Sequence, residues 1–403
     1  MNEGDAAVML RAAAPKRIAI YRALFLGDLL CTVPAFRALR RRFPDAEVTL
    51  IGLPWAATFV RRFGHYLDRF VAFVGYPGIN EVVVVPDQVA RFFQEQHAYG
   101  YDVALQMHGD GSVSTGFVAD LGARLTLGYR SGAHDGRLTA SLPYDPDEHE
   151  VLRWLRLVAL LGADSDDSTP EWPSTQGEER QAARLLRGIC DQTPEVFKPS
   201  EVSKTAGVSG ASEVFGAAPL IGLHPGAKDP ARRWPPECFA ALGDALAERY
   251  GARLLITGST EEAPIAAAVK RAMRAPALDL CGKTDLGTFA AVVARLDLLV
   301  TNDTGASHVA AATTTPSVAL FGPTRPGQWS PLDRARHRVV DAVALSADGL
   351  DPTAALRQLP VEPVLAVCAS LLCRPRIREE EGTPDTPAER HPTGASLRPL
   401  HPR

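Results

Sequence analysis

The segment TNDTGASHVAAAT contains five candidate site residues: Asp303, Thr304, Gly305, Ala306 and His308. The apolar run before them predicts a buried strand, and the segment after them predicts a helix. Backbone N–H groups at the start of a helix lack partners, and the helix dipole favours negative charge there. Gly305 would let a phosphate approach the backbone closely. The segment therefore predicts either a diphosphate site or only a helix capped by Asp303 or Thr304.

Two other kinds of site use the same residue types and fit this segment less well. Asp303, Thr304 and Gly305 form the D-T-G order of an aspartic protease, but that chemistry pairs two carboxylates, in an all-β setting. The flanks here predict α/β structure, and the sequence has no second D-T-G or D-S-G. A metal site built on Asp303 and His308 would lack a third ligand close in sequence.

A basic loop, GLHPGAKDPARRWPPE, is the second candidate for binding a diphosphate. His224 and Gly226 end a predicted strand, and Lys228, Arg232 and Arg233 follow them in the loop. Three cations beside a strand end can neutralise a diphosphate without a metal ion. The alternative is a basic loop that only faces solvent.

Acidic residues follow two other predicted strands. Glu261 and Glu262 come after the strand LLITG, where an acid can accept hydrogen bonds from a ribose or only complement the dipole of the next helix. Asp28 follows the first predicted strand, where it is either a helix cap or a general base facing the cleft. Its place at a helix N-terminus predicts a lowered pKa, and therefore a weak base.

A further polar group follows a third predicted strand, in the sequence QMHGDGSVSTG. His108, Asp110 and Ser112 could contact an acceptor, and a plain polar loop is the alternative.

The elements that must position these residues alternate between strand and helix in both halves of the chain. This alternation predicts an α/β protein with two Rossmann-like domains, whose parallel sheets face each other across a cleft. Residues 79–85, INEVVVV, are one of the predicted strands. The predicted organisation is a loose leader at 1–15, an N-terminal acceptor domain at 16–189, a linker or insertion at 190–217, a C-terminal donor domain at 218–345, a helical segment at 346–373 and a disordered tail at 374–403.

Composition excludes several classes of protein. The 403 residues carry a net charge of −4, which gives no basic field for nucleic acid. The six cysteines contain no C-x-x-C pair, as expected for free thiols in a reducing compartment without a zinc cage. No uncharged apolar stretch reaches the length of a membrane span, and the N-terminus does not resemble a signal peptide. We therefore expect a cytoplasmic protein.

Four stretches in order resemble glycosyltransferase family 9, the ADP-heptose:lipopolysaccharide heptosyltransferases. They are LGDLLCTVPAFRALRRRFPDAEVTLIG, HPGAKDPARRWPPE, GKTDLGTFAAVVARLDLLVTNDTGASHVAAA and SVALFGPTRPGQWSP. The resemblance implies a GT-B fold and an inverting transfer from an ADP-sugar, a co-substrate, with neither a metal nor another cofactor.

The resemblance also implies roles for residues at matching positions. Asp28 would be the general base, Asp303 would meet the heptose hydroxyls, and His308 would sit in the same pocket. Thr304, Gly305 and neighbouring amides would hold the donor diphosphate. Glu261 or Glu262 would approach the ribose, and Thr284 would lie near the adenine.

The acceptor implied is a glycan or glycolipid such as the lipopolysaccharide core, with peripheral contact at the cytoplasmic face of the inner membrane. Two alternatives stay open: a transferase or epimerase that uses another nucleotide sugar on the same fold, and a non-catalytic nucleotide-sugar-binding relative.

Overall fold

The structure is a computed structural model that describes residues 8–132, 136–190, 218–346 and 350–373. Most of the predicted linker at 190–217 and the whole predicted tail at 374–403 lie outside these residues.

The N-terminal half forms a six-stranded parallel sheet with the strand order β3-β2-β1-β4-β5-β6. Short runs of apolar and β-branched residues make these strands, and the central ones are buried on both faces. The strands are β1 (Arg17–Tyr21), β2 (Glu47–Gly52), β3 (Arg69–Ala72), β4 (Val103–Gln106), β5 (Leu125–Arg130) and β6 (Ala140–Pro143). The helices are α1 (Leu26–Leu30), α2 (Val33–Arg42), α3 (Ala56–Arg62), α4 (Pro86–Tyr99), α5 (Ser114–Ala119), α6 (Glu150–Ala159) and α7 (Gln176–Cys190).

The C-terminal half repeats this plan with the strand order β12-β11-β10-β7-β8-β9. The strands are β7 (Leu220–His224), β8 (Arg253–Ile256), β9 (Ala277–Asp279), β10 (Leu298–Asn302), β11 (Ser317–Phe321) and β12 (His337–Asp341). The helices are α8 (Pro236–Tyr250), α9 (Ala263–Ala272), α10 (Leu286–Val293), α11 (Gly305–Ala312), α12 (Pro326–Trp329), α13 (Ala342–Leu345), α14 (Pro352–Gln358) and α15 (Val361–Leu372). The predicted α/β class with two Rossmann-like sheets is confirmed.

Strand order determines where each half can bind a ligand. The order reverses between β1 and β4 in the first sheet and between β7 and β10 in the second. Crevices at the carboxyl ends of such strands are the usual binding sites of doubly wound sheets. The parallel register pairs His224 with Thr301, so the loops after β7 and β10 leave the sheet side by side.

Apolar packing joins the two halves. One hydrophobic cluster contains Leu29 and Leu30 of α1 together with Ala306 and Val309 of α11. Helix α7 adds polar links to both halves. Its Glu178 Oε2 accepts a 2.9 Å hydrogen bond from Arg62 of α3, and its Glu179 lies 3.5 Å from Arg295 beyond α10.

Two predicted segments differ from expectation. Residues 8–11, within the predicted leader, are helical, and Leu10 is buried in the N-terminal core because this turn packs on the domain. Residues 79–85 form a loop rather than a strand, and Val83 is 85% exposed. The strand at the edge of the sheet beside β2 is instead β3, a strand that the sequence did not indicate.

Within the described ranges, no single helix is long and apolar enough to cross a membrane, and the bent pair α14–α15 passes the same test only when taken together.

Candidate active site

Asp28 lies in the first turn of α1, directly after the loop that follows β1. Its Oδ2 accepts a 3.2 Å hydrogen bond from the Phe25 backbone N–H, and its Oδ1 lies 3.5 Å from the buried Arg22 guanidinium. The side chain keeps 18% of its surface exposed. A substrate hydroxyl can therefore reach this carboxylate.

The pKa of Asp28 differs from the sequence prediction. Burial raises the pKa of Asp28; Arg22 lowers it, Glu150 raises it, and backbone N–H groups lower it. Burial outweighs the helix N-terminus, so the predicted lowering is wrong. A carboxylate with a raised pKa is a better base than the helix position alone would give.

Helix α11 begins differently from the simplest prediction. Its N-cap is Thr304, which has extended backbone angles, and no side chain in the described structure caps it. Asp303 is therefore not the cap. The first N–H groups of α11, at Gly305 and Ala306, keep the polarity that suits an anion.

Asp303, two residues before the first residue of α11, is held by two partners. Its Oδ2 accepts a 2.6 Å hydrogen bond from the Thr324 hydroxyl and lies 3.3 Å from Arg232. Burial raises the pKa of Asp303, while Thr324 and Arg232 lower it. The Asp303 carboxylate thus fixes Arg232 beside the start of α11.

Gly305 faces the other half of the molecule. A Cβ added there would lie 3.6 Å from Leu26 Cδ2 and 3.8 Å from the Gly27 backbone nitrogen, an ordinary contact distance. Its φ is not positive. A side chain at 305 would therefore meet α1 without backbone strain.

A close contact between the halves joins Gly27 and His308. A Cβ added at Gly27 would lie 2.7 Å from His308 Cδ2, so only glycine fits there without displacement. His308 Nδ1 lies 3.6 Å from Cys31 Sγ. Burial, with smaller effects of His149 and Arg22, lowers the pKa of His308 to about 4. His308 is therefore a neutral imidazole packed against the helix that carries Asp28.

The basic loop after β7 divides its cations between two tasks. Arg233 holds the loop, since its Nε donates to the Ala227 carbonyl at 2.8 Å. The Lys228 ammonium lies 3.5 Å from the centre of the Phe25 ring, across the cleft. Arg232 is 40% exposed at its side chain and lies beside Asp303. Arg232 and Lys228 thus face the cleft, whereas the Nε of Arg233 holds the loop.

Asn302 was missed by the sequence reasoning. It is fully buried, its Nδ2 donates to the Pro225 carbonyl at 2.8 Å, and its Oδ1 accepts from the Trp234 N–H at 3.1 Å. It fixes the start and the end of the basic loop against β10. A polar residue at the end of an apolar strand was the available signal.

The remaining donor-side candidates gather after β7, β8 and β9. His224 Nδ1 lies 3.0 Å from the Thr257 hydroxyl, and burial lowers the pKa of His224 although Glu262 raises it. A Cβ at Gly226 would overlap the Glu262 carboxylate. Glu262 is thus the acid that reaches the crevice. Glu261 is exposed beside it, and Thr284 is half-buried in the turn before α10.

The acceptor-side candidates His108, Asp110 and Ser112 lie in the loop after β4. His108 Nδ1 accepts from the Ala23 N–H at 3.3 Å, and burial together with Arg22 lowers the pKa of His108 to about 4. Asp110 accepts hydrogen bonds from Ser112 and, at 2.6 Å, from the Ser131 hydroxyl. These contacts hold the loops after β1, β4 and β5 together.

His308 also lines a cavity of about 300 Å³ between the halves, with Cys31, His149 and His337. Apart from His308 it includes none of the predicted site residues. In the described residues, no group of three His, Cys, Asp or Glu side chains is arranged to hold a metal ion.

Comparison with known proteins shows what the chain is similar to. The family model for glycosyltransferase family 9 (heptosyltransferase) matches residues 89–347, a range that leaves out Asp28. Lipopolysaccharide heptosyltransferase 2 of Salmonella typhimurium is 26% identical over 328 residues, covering 76% of this chain and 83% of the relative. Lipooligosaccharide heptosyltransferase 2 of Haemophilus influenzae is 37% identical over 119 residues, 28% of this chain and 34% of the relative.

Solved structures share the fold. The glycosyl transferase family 9 protein of Veillonella parvula superposes with a TM-score of 0.67 at 22% identity, covering 89% of this chain and 97% of that one. The ADP-heptose lps heptosyltransferase II of E. coli gives 0.63 at 21% identity, with 89% and 98% covered. The two-sheet arrangement is thus that of the GT-B heptosyltransferases.

Proposed function

The chain belongs to glycosyltransferase family 9, and from that premise we propose that it transfers a heptose from an ADP-sugar to a hydroxyl of a lipopolysaccharide-core acceptor, with inversion and without a metal ion. The resemblance read from the sequence is confirmed at the level of the family, and the chain is a glycosyltransferase of the heptosyltransferase type.

One observation carries the proposal: the helix bearing Asp28 packs directly on the start of α11. Gly305 faces Leu26 and Gly27, and Gly27 touches the His308 ring. A base from one domain and an anion-binding helix end from the other therefore border the same crevice. That juxtaposition suits a reaction in which a hydroxyl is deprotonated on one side and a diphosphate departs on the other.

The proposed step moves one proton and one sugar. The acceptor O–H gives its proton to the Asp28 carboxylate while its oxygen attacks the anomeric carbon. The bond from that carbon to the ADP oxygen breaks, and ADP leaves with the bonding electrons. Attack from the side opposite to the leaving group inverts the anomeric configuration.

Hydrogen-bond donors and cations of the C-terminal half would stabilise the negative charge of the leaving ADP. The N–H groups of Gly305 and Ala306, the Arg232 guanidinium and the Lys228 ammonium are the proposed partners of the diphosphate. Asp303 orients Arg232 and would also meet the sugar hydroxyls. Preorganised donors of this kind act without rearranging during the reaction, which is why they stabilise developing charge well.

The nucleoside end of the donor is assigned to the crevice after β8 and β9. Glu262 is the proposed ribose partner because its carboxylate lies against Gly226 and 3.9 Å from His224 Nε2. Thr284 is the proposed neighbour of the adenine. The acceptor is assigned to the loops of the N-terminal half around Asp110 and Ser112.

A donor panel tests the proposal. The melting temperature of the protein is measured with ADP-heptose, ADP-glucose, UDP-glucose and GDP-mannose. Release of the nucleoside diphosphate is then followed with each donor in the presence of a lipopolysaccharide-core acceptor. We expect the ADP-sugars to raise the melting temperature and ADP-heptose to be turned over. The sugar in the product should have the anomeric configuration opposite to that in the donor, as determined by NMR. Binding without any turnover would favour a non-catalytic relative, and turnover with a UDP- or GDP-sugar would favour another transferase.

Removing the Arg232 charge should weaken donor binding. Arg232→Ala is expected to raise the Kd for ADP about tenfold to a hundredfold, because a charge-assisted hydrogen bond contributes about 1.5–3 kcal/mol. Titration calorimetry measures this. Arg271→Ala, an exposed arginine of α9, is the control and should bind ADP as the parent does. Parental affinity in Arg232→Ala would remove this residue from the diphosphate site.

Chelation should leave the reaction intact. We expect the same initial rate with and without excess EDTA, since Lys228 and Arg232 supply the positive charge proposed for the diphosphate. The rate is followed by ADP release. A rate that disappears in EDTA and returns with Mg²⁺ would contradict metal independence.

A further inference from the structure

Glu150 is a buried carboxylate for which the reaction proposed above has no use. It begins α6 and is only 4% exposed. Its Oε2 accepts from the Trp154 indole N–H at 3.0 Å, and its Oε1 accepts from Arg153 Nε at 2.9 Å and lies 3.4 Å from Gln328 Nε2. Burying a charge is costly, so four side chains converging on one carboxylate call for an explanation.

The fourth of these side chains, Arg22, connects Glu150 to the proposed base. One nitrogen of its guanidinium, NH2, lies 3.4 Å from Glu150 Oε2 and 3.5 Å from Asp28 Oδ1. The other two are fixed, because Nε donates to the Asp28 carbonyl at 2.9 Å and NH1 donates to the Met107 carbonyl at 2.6 Å. Arg22 is 1% exposed. One immobile cation is therefore shared by two carboxylates.

Two other titratable groups packed around Asp28, Cys31 and His308, are uncharged. Burial raises the pKa of the Cys31 thiol of α1, and burial lowers the pKa of His308 of α11 to about 4. Lys228 approaches the Phe25 ring, and Arg153 is bound to Glu150 itself. In the described structure, Arg22 and Glu150 are thus the charges that act most directly on the Asp28 carboxylate.

We infer that Glu150 is a positioning residue that keeps Asp28 basic by competing with it for the Arg22 guanidinium. The inference rests on the proposed role of Asp28 as the base. The directions of the electrostatic effects agree with it: the pKa of Asp28, raised by burial, is lowered by Arg22 and raised by Glu150. Without the Glu150 charge, Arg22 would pair with Asp28 alone and would stabilise its ionised form.

The decisive variant is Glu150→Gln, which keeps the shape and removes the charge. A base works only when deprotonated, so the rate falls as pH drops through the pKa of Asp28. In Glu150→Gln we expect this acid limb of the kcat profile to move down by about one pH unit. The plateau should fall about threefold, because a weaker base transfers the proton less readily. The KM for the donor should stay at the parental value.

Trp154→Phe is the matched control. It removes a neutral hydrogen bond to the same Glu150 Oε2, keeps an aromatic ring beside Arg22, whose Cζ lies 4.6 Å from the centre of the Trp154 ring, and leaves every charge in place. Its acid limb should coincide with that of the parent. An equal shift in Trp154→Phe would mean that loss of packing moves the limb, and the inference would be overturned.

A second variant covers the case in which Glu150→Gln does not fold. Glu150→Asp keeps the charge but draws it back from Arg22 by one methylene, and it should give a smaller downward shift of the limb. The inference would be overturned if the acid limb stays at the parental pH in each Glu150 variant that folds.

The failure of this inference differs from failure of the proposed function. If Asp28→Asn is inactive and the Glu150→Gln limb does not move, only the role of Glu150 is wrong. If Asp28→Asn turns over normally, Asp28 is not the base and the role of Glu150 is wrong with it, whereas the proposed transfer itself fails only if the parent gives no turnover with ADP-heptose.

Discussion

Asp28→Asn is expected to lower turnover about 10²-fold or more while ADP affinity stays near the parental value. General base catalysis typically contributes a factor of about 10² to 10⁴, and the amide cannot take a proton. The amide oxygen can still accept the hydrogen bond that Oδ2 receives from the Phe25 N–H, so α1 should keep its start. Initial rates with saturating ADP-heptose measure the first effect, and calorimetric titration with ADP measures the second.

Asp87→Asn provides the control for Asp28→Asn. Asp87 also lies in the first turn of a helix, α4, but its side chain is exposed to solvent. Losing this charge should change neither rate nor affinity. A normal rate in Asp28→Asn would end the role of Asp28 as base, and an equal loss in both variants would point to a general effect of lost negative charge.

Gly27→Val is expected to reduce kcat/KM by about 10²-fold and to destabilise the fold by about 1–3 kcal/mol. The new Cβ would lie 2.7 Å from His308 Cδ2 and 3.2 Å from its Nε2. His308 is buried, so α1 and α11 must separate to make room. Asp28 is the next residue along α1, and displacement of a catalytic group by about 1 Å can cost that factor in rate. Rates and melting curves of the same preparation are compared.

The His308→Ala background tests whether the contact itself is responsible. Removing the ring frees the space, so Gly27→Val should cost less stability there than in the parent. Gly177→Val, at an exposed helix position with open surroundings, should leave activity unchanged. Equal penalties in both backgrounds would show that Gly27 is needed for its own backbone and not for the approach of the two halves.

The sequence by itself determined the alternation of strands and helices, the two halves, and the turns where polar residues gather. These properties are local. The apolar runs of β1, β7 and β10 are each followed by a glycine-containing or polar turn, so the candidates fall at the carboxyl ends of strands whatever the packing. The order of motifs also sufficed to indicate the family.

Local pattern misled where a partner was needed. The valine run at 82–85 has strand propensity, yet it pairs with no neighbouring strand and lies in a partly exposed loop. Propensity describes which backbone conformation a segment favours, whereas a strand also requires a hydrogen-bonding neighbour. The free edge of β2 is already occupied by Arg69–Ala72.

Only the tertiary structure decided which charges meet. The sequence left the N-cap of α11 open between Asp303 and Thr304; Thr304 takes that position, and Thr324 and Arg232 hold Asp303, because both loops converge beside the end of β10. The pKa of Asp28 was expected to be lowered by its helix, but burial raises it, and so does Glu150 from α6. Burial and through-space charge depend on residues distant in sequence, and no local pattern encodes them.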